Sequence, residues 1–176
     1  MFIIAGIAIF VIVVGILIVA ATKPNTFRIQ RSAVIKATPT KLFGNINDLS
    51  KWQAWSPWEK FDTEVKRTFS GPAKGVGAGY AWDGNRNVGM GSMEITEAVS
   101  PSKVVMKLEF YKPFRASNMV EFTLEKKGTS TEVTWAMTGA QPYKNKVIAM
   151  LIDTERMVGK QFAEGLANLK SLVENT

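Results

Sequence analysis

The chain has 176 residues, with 22 Lys and Arg against 15 Asp and Glu and a formal net charge of +7. It contains no His and no Cys. These absences remove the usual transition-metal ligands, the commonest general base, and the Ser/His and Cys/His nucleophile pairs. We therefore expect no metal and no cofactor, and the composition disfavours an enzyme.

The first segment, Phe2–Ala21, consists only of Ile, Val, Phe, Leu, Ala and Gly. At about 1.5 Å per residue, a helix of this length spans roughly 30 Å, the thickness of the hydrocarbon core of a bilayer. The segment therefore predicts one N-terminal transmembrane helix. A cleaved signal peptide is the alternative, but no Lys or Arg precedes the run and Val19-Ala20-Ala21 is a weak cleavage signal. Neither Gly6 nor Gly15 has a small residue four positions on, so a passive tether is favoured over a dimerisation face.

Basic residues follow this helix directly, at Lys23, Arg28, Arg31 and Lys36. Such residues are attracted to anionic headgroups and tend to stay on the cytoplasmic side of a membrane. We therefore expect a single-pass membrane protein with its domain in the cytoplasm. A linker at 22–26 joins the helix to one domain at 27–176, a length typical of a single domain.

The rest of the chain predicts an α+β domain. A strand at 27–36 precedes a short helix with Thr38 as its N-cap and Pro39 in its first turn, and a second helical turn starts near Asp48. Turn sequences rich in Gly, Pro and Asn then separate six strands, at 64–70, 77–83, 89–100, 103–111, 115–126 and 130–138. Hairpin connections of this kind predict an antiparallel sheet.

Alternation along these strands gives the sheet one apolar face, as in Met106, Leu108 and Phe110. The last segment, 154–174, repeats apolar residues at steps of three and four, which predicts a long amphipathic helix that covers this face. The expected architecture is a curved antiparallel sheet of about seven strands around a long C-terminal helix, with room for a cavity between them.

Particular motifs accompany this order of elements. They are, in chain order, Ala37-Thr38-Pro39, Leu42-Phe43, Ile46-Asn47-Asp48-Leu49, Trp52-Gln53-Ala54-Trp55-Ser56-Pro57-Trp58, 75–82, Gly89-Met90-Gly91 and 162–170. With them the chain resembles the START-like superfamily, specifically its polyketide cyclase/dehydrase (SRPBCC) branch, over residues 27–175. The resemblance implies a helix-grip (START/Bet v 1-like) fold with a deep apolar pocket for a lipid or another hydrophobic ligand. It does not imply catalysis, because the superfamily includes transfer proteins and sensors as well as enzymes.

We expect the pocket to be lined by inward-facing residues of the sheet and by two residues of the last helix: Tyr80, Trp82, Met93, Met106, Leu108, Phe110, Asn118, Val120, Phe122, Trp135, Met137, Val158 and Phe162. Trp52, Trp55 and Trp58 either line the pocket mouth or plug the open end of the fold. The inward amide of Asn118 needs a partner, which is a ligand head group, a backbone group or water.

Other functions remain open. A cyclase- or dehydrase-like enzyme would need titratable groups inside the pocket, for which Asp62, Asp83 and Glu94 are the candidates. The glycines at 75, 77 and 79 lack the spacing of a nucleotide-binding loop. Because the basic residues are spread along the chain and densest beside the first helix, we expect lipid rather than nucleic acid as their partner.

The favoured function is a membrane-anchored, non-catalytic binding protein for a hydrophobic small molecule or lipid. The main alternative is an interaction or assembly module with a fully packed core. A pocket of roughly 300 Å³ or more, lined by Trp82, Phe110 and Trp135, would favour the binding protein. The pattern leaves the oligomeric state open.

Overall fold

An N-terminal helix, α1 (Phe2–Thr22), leads into the domain. The structure, a computed structural model, describes residues 2–151 and 153–175. Thr176, the last residue of the predicted domain, lies outside the described residues. The bounds of α1 confirm that residues 2–21 are helical. In the part of the chain that the structure describes, no helix is long and apolar enough to cross a membrane. The membrane-spanning role of the segment stays a prediction.

Seven strands form one sheet, in which every neighbouring pair is antiparallel. Its spatial order is β1-β7-β6-β5-β4-β3-β2. The strands are β1 (Thr26–Ile35), β2 (Lys66–Ser70), β3 (Gly79–Asp83), β4 (Met90–Val99), β5 (Lys103–Lys112), β6 (Ala116–Lys127) and β7 (Ser130–Ala140). The last strand, β7, pairs with the first strand, β1, which forms one edge of the sheet.

Two predicted strands begin two residues later than expected, because side chains and glycines make turns there. The Glu64 amide donates to Asp62 Oδ1 at 3.0 Å, so residues 62–64 form a turn before β2. Gly77 has φ +85°, a left-handed conformation that favours glycine, and the Ala78 amide closes a turn onto Gly75 O at 3.0 Å before β3.

One half of the apolar face is covered by α2 (Pro39–Ile46) and a 3₁₀ helix (Leu49–Ala54). As predicted, the Thr38 side chain caps α2, accepting a hydrogen bond from the Lys41 amide at 3.3 Å. Asp48 caps the 3₁₀ helix through the Ser50 amide. α2 buries Leu42, Phe43 and Ile46 against β5 and β6.

The long helix α4 (Thr154–Glu174) has the predicted bounds and lies along β1 and β7. Its buried stripe contains Phe162, Leu166, Leu169 and Val173. Gly165 lets the helix approach closely, since a Cβ there would lie 2.7 Å from Trp135 Cζ3 and 3.0 Å from Pro57 Cδ. The lack of a side chain at Gly165 therefore leaves space for the large ring of Trp135 between the helix and the sheet.

A further helix, α3 (Tyr143–Leu151), was not predicted. It packs against the end of α1. Lys146 is almost fully buried there, and its Nζ donates to Lys23 O at 2.6 Å and to Asn25 Oδ1 at 2.7 Å. The Tyr143 hydroxyl donates to Leu17 O at 2.8 Å. The predicted linker is consequently held in place by side chains of α3.

Candidate ligand cavity

A cavity of about 230 Å³ lies between the apolar face of the sheet and the N-terminal half of α4. Its walls come from five strands, from a second 3₁₀ helix (Pro57–Phe61), from the β3–β4 turn and from α4. The lining residues are Trp52, Ser56, Trp58, Glu59, Val65, Tyr80, Trp82, Asn87, Val88, Met93, Leu108, Phe110, Val120, Trp135, Met137, Val158 and Phe162. The walls are mostly aromatic and aliphatic, the character typical of a site for an apolar ligand.

Most of the side chains predicted to line the pocket do surround this cavity. They are Tyr80, Trp82, Met93, Leu108, Phe110, Val120, Trp135, Met137, Val158 and Phe162, together with Trp52 and Trp58. Alternation along the strands places them, because residues two apart in sequence share one face of the sheet. Their role in binding stays a prediction.

Met106, Phe122 and Asn118 do not line the cavity, contrary to the prediction. Met106 and Phe122 face inward but are 0% exposed, in the half of the sheet that α2 covers. Asn118 is also buried, and its Oδ1 lies against Gly139 on β7, where an added Cβ would clash with it. The inward face of the sheet is thus longer than the cavity.

The tryptophan-rich segment divides between core and cavity. Trp55 is 1% exposed, and its backbone oxygen accepts a hydrogen bond from Asn168 Nδ2 of α4 at 3.1 Å. Its ring packs against Trp52 and Trp135 and does not line the cavity, which fits the alternative that these rings plug the open end of the fold. Trp52 is buried as well but reaches the cavity wall, and only Trp58 combines a cavity contact with partial exposure.

Stacked rings give the cavity a rigid floor. Trp135 stacks on Phe162, with ring centroids 4.4 Å apart and planes 8° apart, and Trp58 meets the same Trp135 ring edge-on at 5.7 Å. The far wall is Trp82, edge-on to Phe110 at 5.8 Å. Trp82 Nε1 donates to Val88 O at 3.1 Å, which fixes the ring to the β3–β4 turn. Interlocked aromatic rings of this kind resist collapse into the empty space.

A polar cluster at one wall was not predicted. Glu59, from the second 3₁₀ helix, accepts a hydrogen bond from Arg67 Nη2, and Arg67 Nη1 also donates to Val65 O at 3.2 Å. Arg67 lies opposite Trp82 across the β2–β3 pair, so it faces the same side as the cavity wall. The sequence signal that could have indicated this cluster is an arginine at an inward-facing position of an edge strand.

The pKa values in this cluster follow from the ion pair and from burial. The hydrogen bond that Arg67 donates to the Glu59 carboxylate raises the pKa of Arg67, and desolvation only partly opposes this. Burial raises the pKa of Tyr80, the Glu59 carboxylate raises it further, and Arg67 acts in the opposite direction. At neutral pH the cluster therefore presents a charged pair and a neutral phenol beside an apolar cavity.

The carboxylates proposed for an enzyme lie elsewhere. Asp83 and Glu94 are exposed. Asp62 organises a loop, accepting from the amides of Glu64 at 3.0 Å and Asn85 at 2.6 Å. None of these three lines the cavity, so Glu59 and Tyr80 are the titratable groups present there.

Fold and cavity together define a helix-grip protein with a partly enclosed, mainly apolar chamber. The sequence profile of the family described as polyketide cyclase/dehydrase and lipid transport matches residues 26–174. The chain therefore belongs to this family, whose members bind hydrophobic small molecules. No curated protein matches the sequence significantly.

Solved structures share the fold at low sequence identity. Protein CV1439 from Chromobacterium violaceum is 16% identical, with a TM-score of 0.59, covering 86% of this chain and 99% of its own. The Aha1 dimer from Colwellia psychrerythraea is 19% identical, with a TM-score of 0.59, covering 82% of this chain and 93% of its own. Ara h 8.0201 is 13% identical, with a TM-score of 0.61, covering 86% of this chain and 99% of its own. These likenesses show the fold alone.

Proposed function

We propose that this protein is a membrane-anchored, non-catalytic binding protein that holds one small hydrophobic molecule in the cavity. The single observation that carries the proposal is the chamber of about 230 Å³ between Trp135, Trp82 and Phe162, which the surrounding side chains leave open. A module with a fully packed core would have closed this space, because cavities in the interior of a protein cost stability.

The size of the cavity bears on the ligand. Pockets for drug-sized molecules typically measure about 300–1,000 Å³. This cavity has the expected lining of Trp82, Phe110 and Trp135, but at about 230 Å³ it falls short of the roughly 300 Å³ set above as favouring a binding protein. A compact apolar molecule, or a single acyl chain, suits the volume better than a complete two-chain lipid. The lining residues Glu59 and Tyr80 give such a ligand a polar group to meet at one wall, so we favour an amphipathic molecule over a pure hydrocarbon.

Membrane anchoring is part of the proposal and is supported by the uncharged apolar sequence of residues 2–21. We place the domain in the cytoplasm because of the basic residues that follow. A hydrophobic ligand dissolved in the adjacent leaflet would then lie within reach of a cavity held beside it.

Native mass spectrometry of the full chain, extracted from membranes in a mild detergent, tests ligand binding. We expect an additional small-molecule mass on the wild-type protein. Val120→Trp should abolish it, because Val120 is 3% exposed and lines the cavity. Met119→Trp is the matched control, since this neighbour is 40% exposed and its side chain points to the other face of the sheet.

Two results would contradict the proposal: a wild-type protein that never carries an apolar molecule, or equal loss in both variants. Native mass spectra depend on the ligand surviving extraction, so uptake is also measured by adding a series of fatty acids and fatty alcohols of increasing chain length. Affinity should pass through a maximum and then fall once the chain exceeds the cavity.

A cyclase- or dehydrase-like enzyme is the second candidate, favoured by the convergence of Glu59 and Tyr80 on the cavity. Against it, the Glu59 carboxylate already accepts a hydrogen bond from Arg67 and forms an ion pair with it. Recovery of the bound molecule after prolonged incubation decides between the two functions. An unchanged mass supports binding alone. A changed mass that depends on Glu59 and Tyr80, tested with Glu59→Gln and Tyr80→Phe, would establish the enzyme.

A further inference from the structure

The turn between β5 and β6 exposes an aromatic side chain to solvent. Phe114 is 81% exposed, more than Phe10 of the apolar helix α1, which is 68% exposed. A single exposed apolar side chain is common on protein surfaces, so this ring is informative only together with the charges of its surroundings.

Three cations belong to the same turn as this ring or to the turn beside it. Lys112 and Arg115 flank it in sequence, and both are exposed. Arg86 belongs to the neighbouring β3–β4 turn, which lies against the β5–β6 turn, since a Cβ on Gly89 would clash with Lys112 O. Among the residues that the structure describes, no carboxylate lies within ion-pair distance of Lys112, Arg115 or Arg86.

Two turns at the opposite end of the sheet carry lysines that are paired with carboxylates. Lys103 Nζ pairs with Glu97 at 2.6 Å beside the β4–β5 turn, and Lys127 Nζ pairs with Glu125 at 3.1 Å and Glu132 at 3.4 Å beside the β6–β7 turn. The β5–β6 turn thus combines a ring that is 81% exposed with cations that lack a carboxylate partner among the described residues.

Strand register places this end beside α1. Ala116 of β6 pairs with Phe110, Asn118 pairs with Gly139 of β7, and Ala140 pairs with Thr26, four residues after α1 ends. The β5–β6 turn, the β3–β4 turn and the junction with α1 therefore occupy the same end of the sheet. The cavity adjoins it too, because its lining residues Asn87 and Val88 belong to the β3–β4 turn.

We propose that the β5–β6 turn docks on the surface of an anionic lipid bilayer. Phe114 inserts among the headgroups, and Lys112, Arg115 and Arg86 bind lipid phosphates, the arrangement in which an apolar ring and its flanking cations are both satisfied. Docking brings the rim of the cavity to the lipid surface. The inference rests on the proposed function only for the presence of a bilayer beside the domain.

The absence of cysteine allows a test on the full chain with single labels. Ala116→Cys, labelled with an environment-sensitive fluorophore, reports on the tip while keeping Phe114. Thr129→Cys, in the β6–β7 turn, is the control at the opposite end, and Ile12→Cys reports on α1. Each labelled protein is reconstituted into vesicles of phosphatidylcholine alone or with phosphatidylglycerol, and quenching by aqueous iodide is measured.

We expect the label at 116 to be protected from iodide in the anionic vesicles and less so in the neutral ones, while the label at 129 stays accessible in both. In the 116-labelled protein, Lys112→Ala combined with Arg115→Ala should lower the ratio of docked to undocked tips roughly 30-fold, which corresponds to about 1 kcal/mol for each charge removed. Phe114→Ser should lower it without changing the folded domain, as checked by circular dichroism.

Each other outcome has a defined meaning. Equal accessibility at 116 and 129 in anionic vesicles overturns docking, even if the label at 12 is protected and the anchor stands. Protection at 116 with an accessible label at 12 supports docking and contradicts the anchor. Protection at 116 that persists in detergent without lipid shows that a protein covers the tip instead, and also overturns the proposal.

Discussion

The Trp135 ring lies face to face with Phe162, at a centroid distance of 4.4 Å, and this stack joins β7, the second strand of the sheet, to the helix that closes the fold. Phe162 is 2% exposed and lines the cavity at the same time. The same contact thus contributes both to stability and to the shape of the candidate binding site.

Replacing Phe162 with Ala is expected to destabilise the domain by about 3–5 kcal/mol, because it removes a buried ring and enlarges an existing void. Chemical denaturation of the detergent-solubilised full chain measures the change. Lys160→Ala, on the exposed face of the same helix, should change stability by less than about 0.5 kcal/mol. A small effect of Phe162→Ala would mean that α4 does not depend on the stack.

Substitution of Gly165 by Ala tests how closely α4 approaches the sheet. The added Cβ would lie 2.7 Å from the rigid ring of Trp135, and overpacking of this kind costs about 1–3 kcal/mol. Gly44→Ala in α2 is the matched control, since nothing lies within 4 Å of its added Cβ. Both changes gain the same helix propensity of about 1 kcal/mol, so the difference in unfolding free energy isolates the overlap.

The buried phenol of Tyr80 predicts a loss of stability in alkali. Its pKa is raised in the folded protein, chiefly by burial and then by Glu59. Above the ordinary pKa of 10.0, the unfolded chain releases this proton while the folded protein keeps it, so the unfolding free energy falls as pH rises.

We therefore expect the unfolding free energy of Tyr80→Phe to decline less than that of the wild type as the pH rises above 10.0, since only the wild type carries this group. Glu59→Gln should lower the pKa of Tyr80, because the Glu59 carboxylate raises it. The unfolding free energy of this variant should therefore also decline less than that of the wild type. Parallel curves for wild type and Tyr80→Phe would show that the phenol titrates normally.

The buried Lys146 predicts a local change at the junction with α1. Lys146→Met removes the donor to Lys23 O and Asn25 Oδ1 while keeping most of the apolar stem, and hydrogen bonds from charged groups contribute about 1.5–3 kcal/mol. Hydrogen exchange at residues 23–26 should accelerate. Lys144→Met, an exposed neighbour on the same helix, should leave the exchange unchanged. Equal exchange in both variants would contradict the role of Lys146.

The strand and helix pattern could be predicted because each element carries a local signal. Alternation gave the inward residues of β5 and β7, and the steps of three and four in α4 gave both of its ends. The cap at Thr38 and the turn at Asp48 were also confirmed, because short polar side chains at helix starts act within a few residues.

The limits of the cavity could not be read in the same way. Phe122 and Val120 occupy equivalent inward positions on β6, yet only Val120 lines the cavity. The difference is made by α2 and the first 3₁₀ helix, which cover one half of the sheet through contacts distant in sequence. Local periodicity identifies the buried face but carries no information about which half another element fills.

The polar cluster and α3 were missed for related reasons. Glu59 and Arg67 are eight positions apart on different elements, so their pairing depends on the way the second 3₁₀ helix folds over β2. α3 has only nine residues, and its buried residue is a lysine, Lys146, so a short apolar run at 147–151 was its only local signal. Its stabilising contacts lie 121 and 123 residues away.

The hydrogen bonds from Lys146 to residues 23 and 25 also determine how α1 is joined to the sheet. Asn25 is held twice, by Lys146 Nζ through its side chain and by the Gln141 amide through its backbone oxygen at 2.7 Å. The junction between α1 and β1 is therefore fixed by hydrogen bonds and is not a flexible linker. The end of α1 is thus connected by hydrogen bonds to β1 and, through the pairing of β1 with β7, to the strand that carries Trp135.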